Sequence, residues 1–185
     1  MSWIIDPAHT RAEFAVKHMM IATVRGQFTD IQGTVDFDEQ TPAKSKIDVK
    51  IGAASVNTRE EKRDAHLKSP DFFDAENYPY LHFVSKKVKV TGENTGRVIG
   101  DLTIRDTTRE VALDVEYNGT QKSPWGTQNA GFSATGKFNR KDWGLNWNVA
   151  LETGGWLVGD EVKVNLEAEI VKQAQPEAEL EAVAA

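Results

Sequence analysis

At 185 residues, the chain is long enough to form one domain with a substantial buried core. Lys+Arg 22 against Asp+Glu 28 leaves a net charge of -6, the wrong sign for affinity built on neutralising phosphates, which argues against nucleic acid as a partner. With Cys 0, a disulfide framework, thiolate catalysis and thiolate metal ligation are all excluded.

The N-terminus, Met1-Ser2-Trp3-Ile4-Ile5-Asp6-Pro7, has no basic segment, apolar core or small-residue cleavage site. The expected location is therefore cytoplasmic, or periplasmic if a leader has been removed. No apolar run approaches the ~20 residues needed to span a bilayer. Along the chain, apolar residues recur with period two, the mark of strands with one buried face. Phe14, Val16 and His18 form the first series, and Ile31, Gly33, Val35 and Phe37 the second. Ile47, Val49 and Ile51 alternate with Asp48 and Lys50. The one helical window runs from Arg59 to about Ser69, with Thr58 or Asn57 as N-cap, Glu60 and Glu61 in the first turn and Pro70 ending it.

Four more series follow. They are Val98 to Ile104, Val111 to Tyr117, Phe132 to Phe138, and Val162 to Ile170. Gly92-Glu93-Asn94-Thr95-Gly96 has hairpin composition, Asn118-Gly119 reads as a hairpin turn with positive φ, and Ser123-Pro124-Trp125-Gly126 reads as a loop. Arg140 to Gly155, rich in Gly, Asn and Trp, is expected to be an irregular excursion. Residues 173–185 form an acidic Ala- and Glu-rich tail without an apolar face, so residues 1–172 make up the domain. About eight strands with one apolar face each must close, which predicts an all-β fold with a short helix, an eight-stranded antiparallel barrel of the lipocalin-like kind. Small inward residues such as Gly33, Gly100, Ala134 and Gly136 are candidates for leaving room inside.

Little in the chain reads as reaction chemistry. His9, His18, His66 and His82 show no recognised metal-ligand spacing, so no metal is expected. There is no phosphate loop or dinucleotide fingerprint, so no cofactor is expected either. Gly131-Phe132-Ser133-Ala134-Thr135-Gly136 lacks the glycine and the strand-to-helix turn of a nucleophile elbow, which leaves Ser133 an outward polar residue. Asp64 and His66 sit two apart on a helix and point about 200° from each other, a poor acid/base pair. Arg63 with Asp71 or Asp74, and Asp64 with Lys68, are candidates for ordinary surface ion pairs. Phe72 and Phe73, adjacent and flanked by Asp, are expected to pack at the barrel mouth rather than face water.

Several ordered motifs carry a resemblance. Asp6-Pro7-Ala8-His9-Thr10, the Phe14/Val16/His18 series, Gly26, Phe28 and Gly33 come first. The segment Arg63 to Pro79, Phe83 and Ser85, and Gly100-Asp101-Leu102-Thr103-Ile104 follow. Phe132-Ser133-Ala134, Asn139-Arg140 with Asp142-Trp143-Gly144, and Val158-Gly159-Asp160 complete the set. Together they resemble the YceI-like family of lipocalin-like polyisoprenoid-binding proteins, from about Trp3 to Ile170. The resemblance implies a barrel whose apolar tunnel holds a polyisoprenoid, an isoprenoid quinone or another long-chain lipid, with no catalysis, for transport, storage or stress response. A lipid-modifying enzyme with a site near the tunnel mouth is the alternative, and a homodimer is a further expectation. The ligand-binding residues carried over are Phe14, Val16, His18, Phe28, Phe72, Phe73, Phe83, Leu102, Ile104, Phe132 and Trp143. Two positions depart from the family pattern: Thr10 stands where Ser is usual, and Arg105-Asp106 replaces a glycine turn.

Overall fold

The alternating segments are strands in a computed structural model of the chain, which describes residues 2–173. In chain order they are β1 (Ser2–Ile5), β2 (Arg11–His18), β3 (Ala22–Phe28), β4 (Ile31–Asp36), β5 (Lys46–Gly52) and β6 (Val56–Asn57). After the helix α1 (Glu61–Lys68) come β7 (Tyr80–Val90), β8 (Thr95–Ile104), β9 (Thr107–Lys122), β10 (Gln128–Asn139) and β11 (Val158–Lys172). All pairings are antiparallel, in the order β1-β4-β5-β7-β8-β9-β10-β11-β2-β3-β6, and β1 also pairs with β11 to close the ring.

The barrel has eight staves because three of them are interrupted. β1 and β2 lie end to end along β11, with Ile5 opposite Ile170 and Arg11 opposite Glu167. β3 and β4 continue one another along that pair, and β5 and β6 do the same along β4 and β3. The gap between β1 and β2 holds Asp6 to Thr10. There the Thr10 hydroxyl accepts from Glu169 N at 3.2 Å, restoring a ladder bond that the looped-out backbone gives up. This explains why a hydroxyl residue stands at Thr10.

The structure corrects the expected elements in four places. β1, β3 and β7 add to the expected series: β3 alternates Ala22, Val24, Gly26 and Phe28 with Thr23, Arg25 and Gln27, while β1 and β7 carry no clear alternation. In β7 a bulge between Ser85 and Lys87 moves the inward parity from Leu81 and Phe83 to Val88, so no single period spans the strand. Asn118-Gly119 is not a hairpin turn but a bulge inside β9: Gly119 takes φ 110, and the register against β10 shifts between Gly131 and Phe132. The β9–β10 hairpin lies instead at Ser123 to Thr127, closed by Ser123 N to Thr127 O at 2.7 Å.

The third correction concerns α1, whose N-cap is Glu60. Its carboxylate accepts from Lys62 N and Arg63 N, at 3.1 and 2.6 Å. The fourth is that the inward glycines leave no room. A Cβ on Gly100 would sit 2.6 Å from Phe83 Cζ, and one on Gly136 2.9 Å from Leu113 Cδ2. These glycines mark where neighbouring chains press close. Of the expected tail, residues 174–185 lie outside the described residues.

Candidate functional site: an end-to-end apolar cavity

Two buried clusters hold the barrel together, one towards each rim. At one, Trp3, Ile5, Ile31, Phe37 and Ile170 pack together, with Phe37 edge-on to Phe132 at 5.1 Å between ring centroids. At the other, Phe28, Val56, Leu81, Phe83, Ile104, Trp143 and Leu145 pack beneath α1 and the loops around it. Between the clusters, inward side chains such as Val16, Val49, Leu113, Val115 and Val164 are only half buried, although no water-facing strand face exposes them. They border a cavity of about 930 Å³ that runs along the barrel. This is near the upper end of the ~300–1,000 Å³ range of small-molecule pockets.

Each residue carried over from the resemblance lies on this wall. Phe14, Val16 and His18 project from β2, Phe28 from β3, Phe83 from β7, Leu102 and Ile104 from β8, and Phe132 from β10. Phe72, Phe73 and Trp143 come from segments outside the strands. Trp143 is fixed by its indole N–H, which donates to Leu102 O at 2.9 Å, and Phe138 packs against it at 5.9 Å. Phe14, Phe28 and Phe73 form a chain of aromatic contacts, 5.7 Å and then 5.5 Å between centroids, linking the β2 wall to the segment after α1. Burying these rings holds that segment over the barrel, because α1 itself has no fully buried residue and reaches the core mainly through Leu67.

The polar residues at this end are sorted by α1. Asp64 accepts from Thr58 N at 2.8 Å and from the Thr58 hydroxyl, while Arg63 donates to Thr58 Oγ1 at 2.7 Å and Thr58 O at 2.9 Å. His66 pairs instead with Asp71, Nε2 to Oδ2 at 2.8 Å. Asp64 and His66 therefore serve different partners, as their helical spacing requires. The expected pairs of Arg63 with Asp71 or Asp74, and of Asp64 with Lys68, do not form, because Thr58 and His66 occupy those groups. Lys62, Arg63 and His66 all reach the cavity rim. At the opposite rim, Tyr117 Oη donates to Glu39 at 2.8 Å, and burial holds the phenol above its usual range.

Sequence reasoning missed two residues that shape the site. Arg140 is buried, and its guanidinium donates to Leu145 O at 2.5 Å, Gly159 O and Trp147 O at 2.9 Å, and Val158 O at 3.3 Å. It thereby gathers both ends of the 144–157 excursion. Burial draws its pKa down, opposed by Asp160 at 3.6 Å. The second is Trp147, which Arg140 presents to the cavity beside His66 and Phe72. An arginine directly after a strand that ends in Asn was the available signal. Ser133 faces outward as expected, donating to Glu167 at 3.0 Å.

Asp6, His9 and Glu169 present ligand atoms close to one another, a constellation without sequence spacing because Glu169 comes from a distant strand. No helix among the described residues is long and apolar enough to cross a membrane.

Comparisons with known proteins agree with this architecture. The chain resembles a UPF0312 protein of Staphylococcus aureus strain N315, 41% identical over 169 residues, which cover 91% of this chain and 96% of that one. Among solved structures, a Campylobacter jejuni YCEI protein superposes with TM-score 0.72 at 34% identity, over 85% of this chain and 90% of that one. The fold alone is shared with a polyisoprenoid binding domain from Saccharophagus degradans, TM-score 0.66 at 14% identity, over 91% and 97% of the two chains. The family model described as the YceI-like domain matches residues 3–170, and the chain belongs to that family.

Proposed function

We propose that the protein binds a long-chain isoprenoid or other amphiphilic lipid in its barrel cavity, without chemical change, as a carrier or reservoir. The observation that carries this reading is the cavity itself, about 930 Å³ and lined mainly by Phe, Val, Leu and Ile. Each methylene transferred from water into such a wall contributes about 0.8 kcal/mol, so a long chain binds tightly with few polar contacts. The polar rim formed by Lys62, Arg63 and His66 gives a headgroup a place beside water. The polyisoprenoid binding named for the Saccharophagus degradans domain supports the same class of ligand.

The test is a solvent extract of natively purified protein, read by mass spectrometry, beside the variant Phe14→Glu. A charge buried at Phe14 is costly, so the variant is expected to lose most of the lipid that the natural chain retains. Protein that folds normally and yields no lipid overturns the reading. Recovery of a chemically altered lipid, lost in His66→Ala without loss of binding, would replace it with the enzyme reading.

A further inference from the structure

At the α1 end, the hairpin joining β2 and β3 turns through Met19-Met20-Ile21. Met19 and Met20 take φ 51 and 63, the left-handed region that tight turns of this kind usually fill with Asn, Asp or Gly. Methionine is a poor choice for such a turn, yet both are methionine. The hairpin is bonded to the cavity wall through Met19 N to Leu157 O at 2.8 Å, and Leu157 N bonds Val149 O at 2.9 Å. Met20 also lies against Gly155, whose φ of 90 and missing Cβ let the sulfur approach. The result is a lip of two loops. Its inner side presents His18, Trp147 and Leu157 to the cavity. Its outer side exposes Ile21 at 83%, Met20 at 66% and Trp156 at 57%, with Met19 and Val149 beside them.

A second, independent feature adjoins the lip. Across the outer wall, Arg25 pairs with Ala15, Ala15 with Lys163, and Lys163 with Lys137, so three exposed cations share one row with no carboxylate in it. Lys17 projects from the same face nearer the lip. Among the described residues, none of these four forms an ion pair. Asp160, close by, is held by Lys141 at 3.1 Å, which leaves Glu161 and Glu13, each in a flanking row, as the acidic neighbours on the wall. On a chain of net charge -6, this is a local reversal of sign.

We infer that the lip is a docking element for a bilayer surface bearing anionic headgroups. The exposed Met, Ile and Trp side chains enter the interface while the basic row faces the phosphates beside it. Apolar side chains at a strained tip fit a surface that accepts them when the protein docks. Continuity of the lip with the cavity wall places the opening against the bilayer, so a lipid passes between the two without crossing water. The inference builds on the lipid-binding reading, but docking is measured separately from cavity occupancy.

The experiment is co-sedimentation of the full chain with vesicles of phosphatidylcholine alone and of an equal mixture of phosphatidylcholine and phosphatidylglycerol. Binding to the mixed vesicles, weakened by salt, is expected. Met20→Asp with Ile21→Asp is expected to reduce it by more than about tenfold, and Lys137→Glu with Lys163→Glu by about tenfold on mixed vesicles only. Asp is tolerated at positive φ, so the lip variant keeps its fold, which a melting curve checks. Phe14→Glu is expected to dock while remaining empty, so failure of the lipid reading leaves this result intact. Equal binding by the lip variant, or no binding to either vesicle, overturns the inference. So does a lip variant that only converts a dimer of the chain to monomers.

Discussion

The His66 ring meets Trp147 edge-on, 4.5 Å between centroids and 88° between planes, while its Nε2 bonds Asp71 at 2.8 Å. The pair ties α1 to the 144–157 excursion across the cavity end, with Phe72 closing the triangle at 5.1 Å from His66 and 5.6 Å from Trp147. An aromatic pair of this kind contributes about 0.5–1.5 kcal/mol beyond its buried area. If this end is the passage, Trp147→Ala speeds release of a bound fluorescent fatty acid by about tenfold, and the lost aromatic contacts lower the melting temperature by a few degrees. Stopped-flow displacement reads the rate, and an unchanged rate places the passage at the Tyr117 end.

Most of this architecture was legible in the sequence, and each miss has its own physical cause. Strands whose inward residues keep one parity, such as β8 and β11, declare themselves, because burial of one face fixes every second residue. β7 does not, since the bulge at Ser85 reverses its parity midway. Asn118-Gly119 announced a positive φ correctly, but local chemistry cannot say whether the chain reverses there or only kinks. Phe72 and Phe73 were found because adjacent aromatics beside Asp need a partner. Arg140 was not, because its partners are backbone carbonyls, which no side-chain pattern encodes.

The tight glycines differ in what blocks them. A Cβ on Gly33 would meet Asp48 O and lie 2.8 Å from Val49 Cα, both backbone of the paired strand, whereas Gly136 faces the Leu113 methyl group at 2.9 Å, and Leu113 borders open cavity. A side chain beside a cavity can turn aside and a paired strand cannot. Gly33→Ala is therefore expected to cost about 3 kcal/mol and Gly136→Ala less than about 1 kcal/mol. Chemical denaturation of the two variants decides, and equal losses would mean that Leu113 is as fixed as the β5 backbone.

Asp6 and His9 form an exposed pair, Oδ2 to Nδ1 at 2.8 Å, that holds the break between β1 and β2. The hydrogen bond lowers the Asp6 pKa below 3.8 and raises that of His9 above 6.5. A raised histidine pKa stabilises fully below its unfolded value and loses that contribution as pH rises through the folded one. A depressed carboxylate pKa stabilises above its unfolded value and fails as pH falls through the folded one. The pair thus acts fully from about pH 4 to about pH 6.5. NMR titration is expected to show His9 above its ordinary value and Asp6→Asn to return it there. An unmoved His9 in the natural chain would remove the pair from the account of this break.

Arg140 makes the strongest prediction about the excursion that carries the lip. Its guanidinium is largely withdrawn from solvent and supplies donors to four carbonyls, those of Leu145, Trp147, Val158 and Gly159. Removing it takes the donor from Leu145 O, Trp147 O and Gly159 O, while Val158 O keeps the Asn148 amide at 2.8 Å, and each buried unpaired group costs about 1–3 kcal/mol, less where water enters. Arg140→Met keeps the aliphatic volume and loses every donor, so it is expected to destabilise the protein by about 3 kcal/mol or more. Arg140→Lys keeps the charge but lacks the planar fork that reaches several carbonyls at once, and should recover only part of the loss. Hydrogen exchange distinguishes a local effect from a global one. Faster exchange across residues 144–158, with the β8–β9 hairpin still protected, is the expected result. Uniform loss of protection would mean that Arg140 supports the barrel itself rather than the loop that presents Trp147 and Trp156.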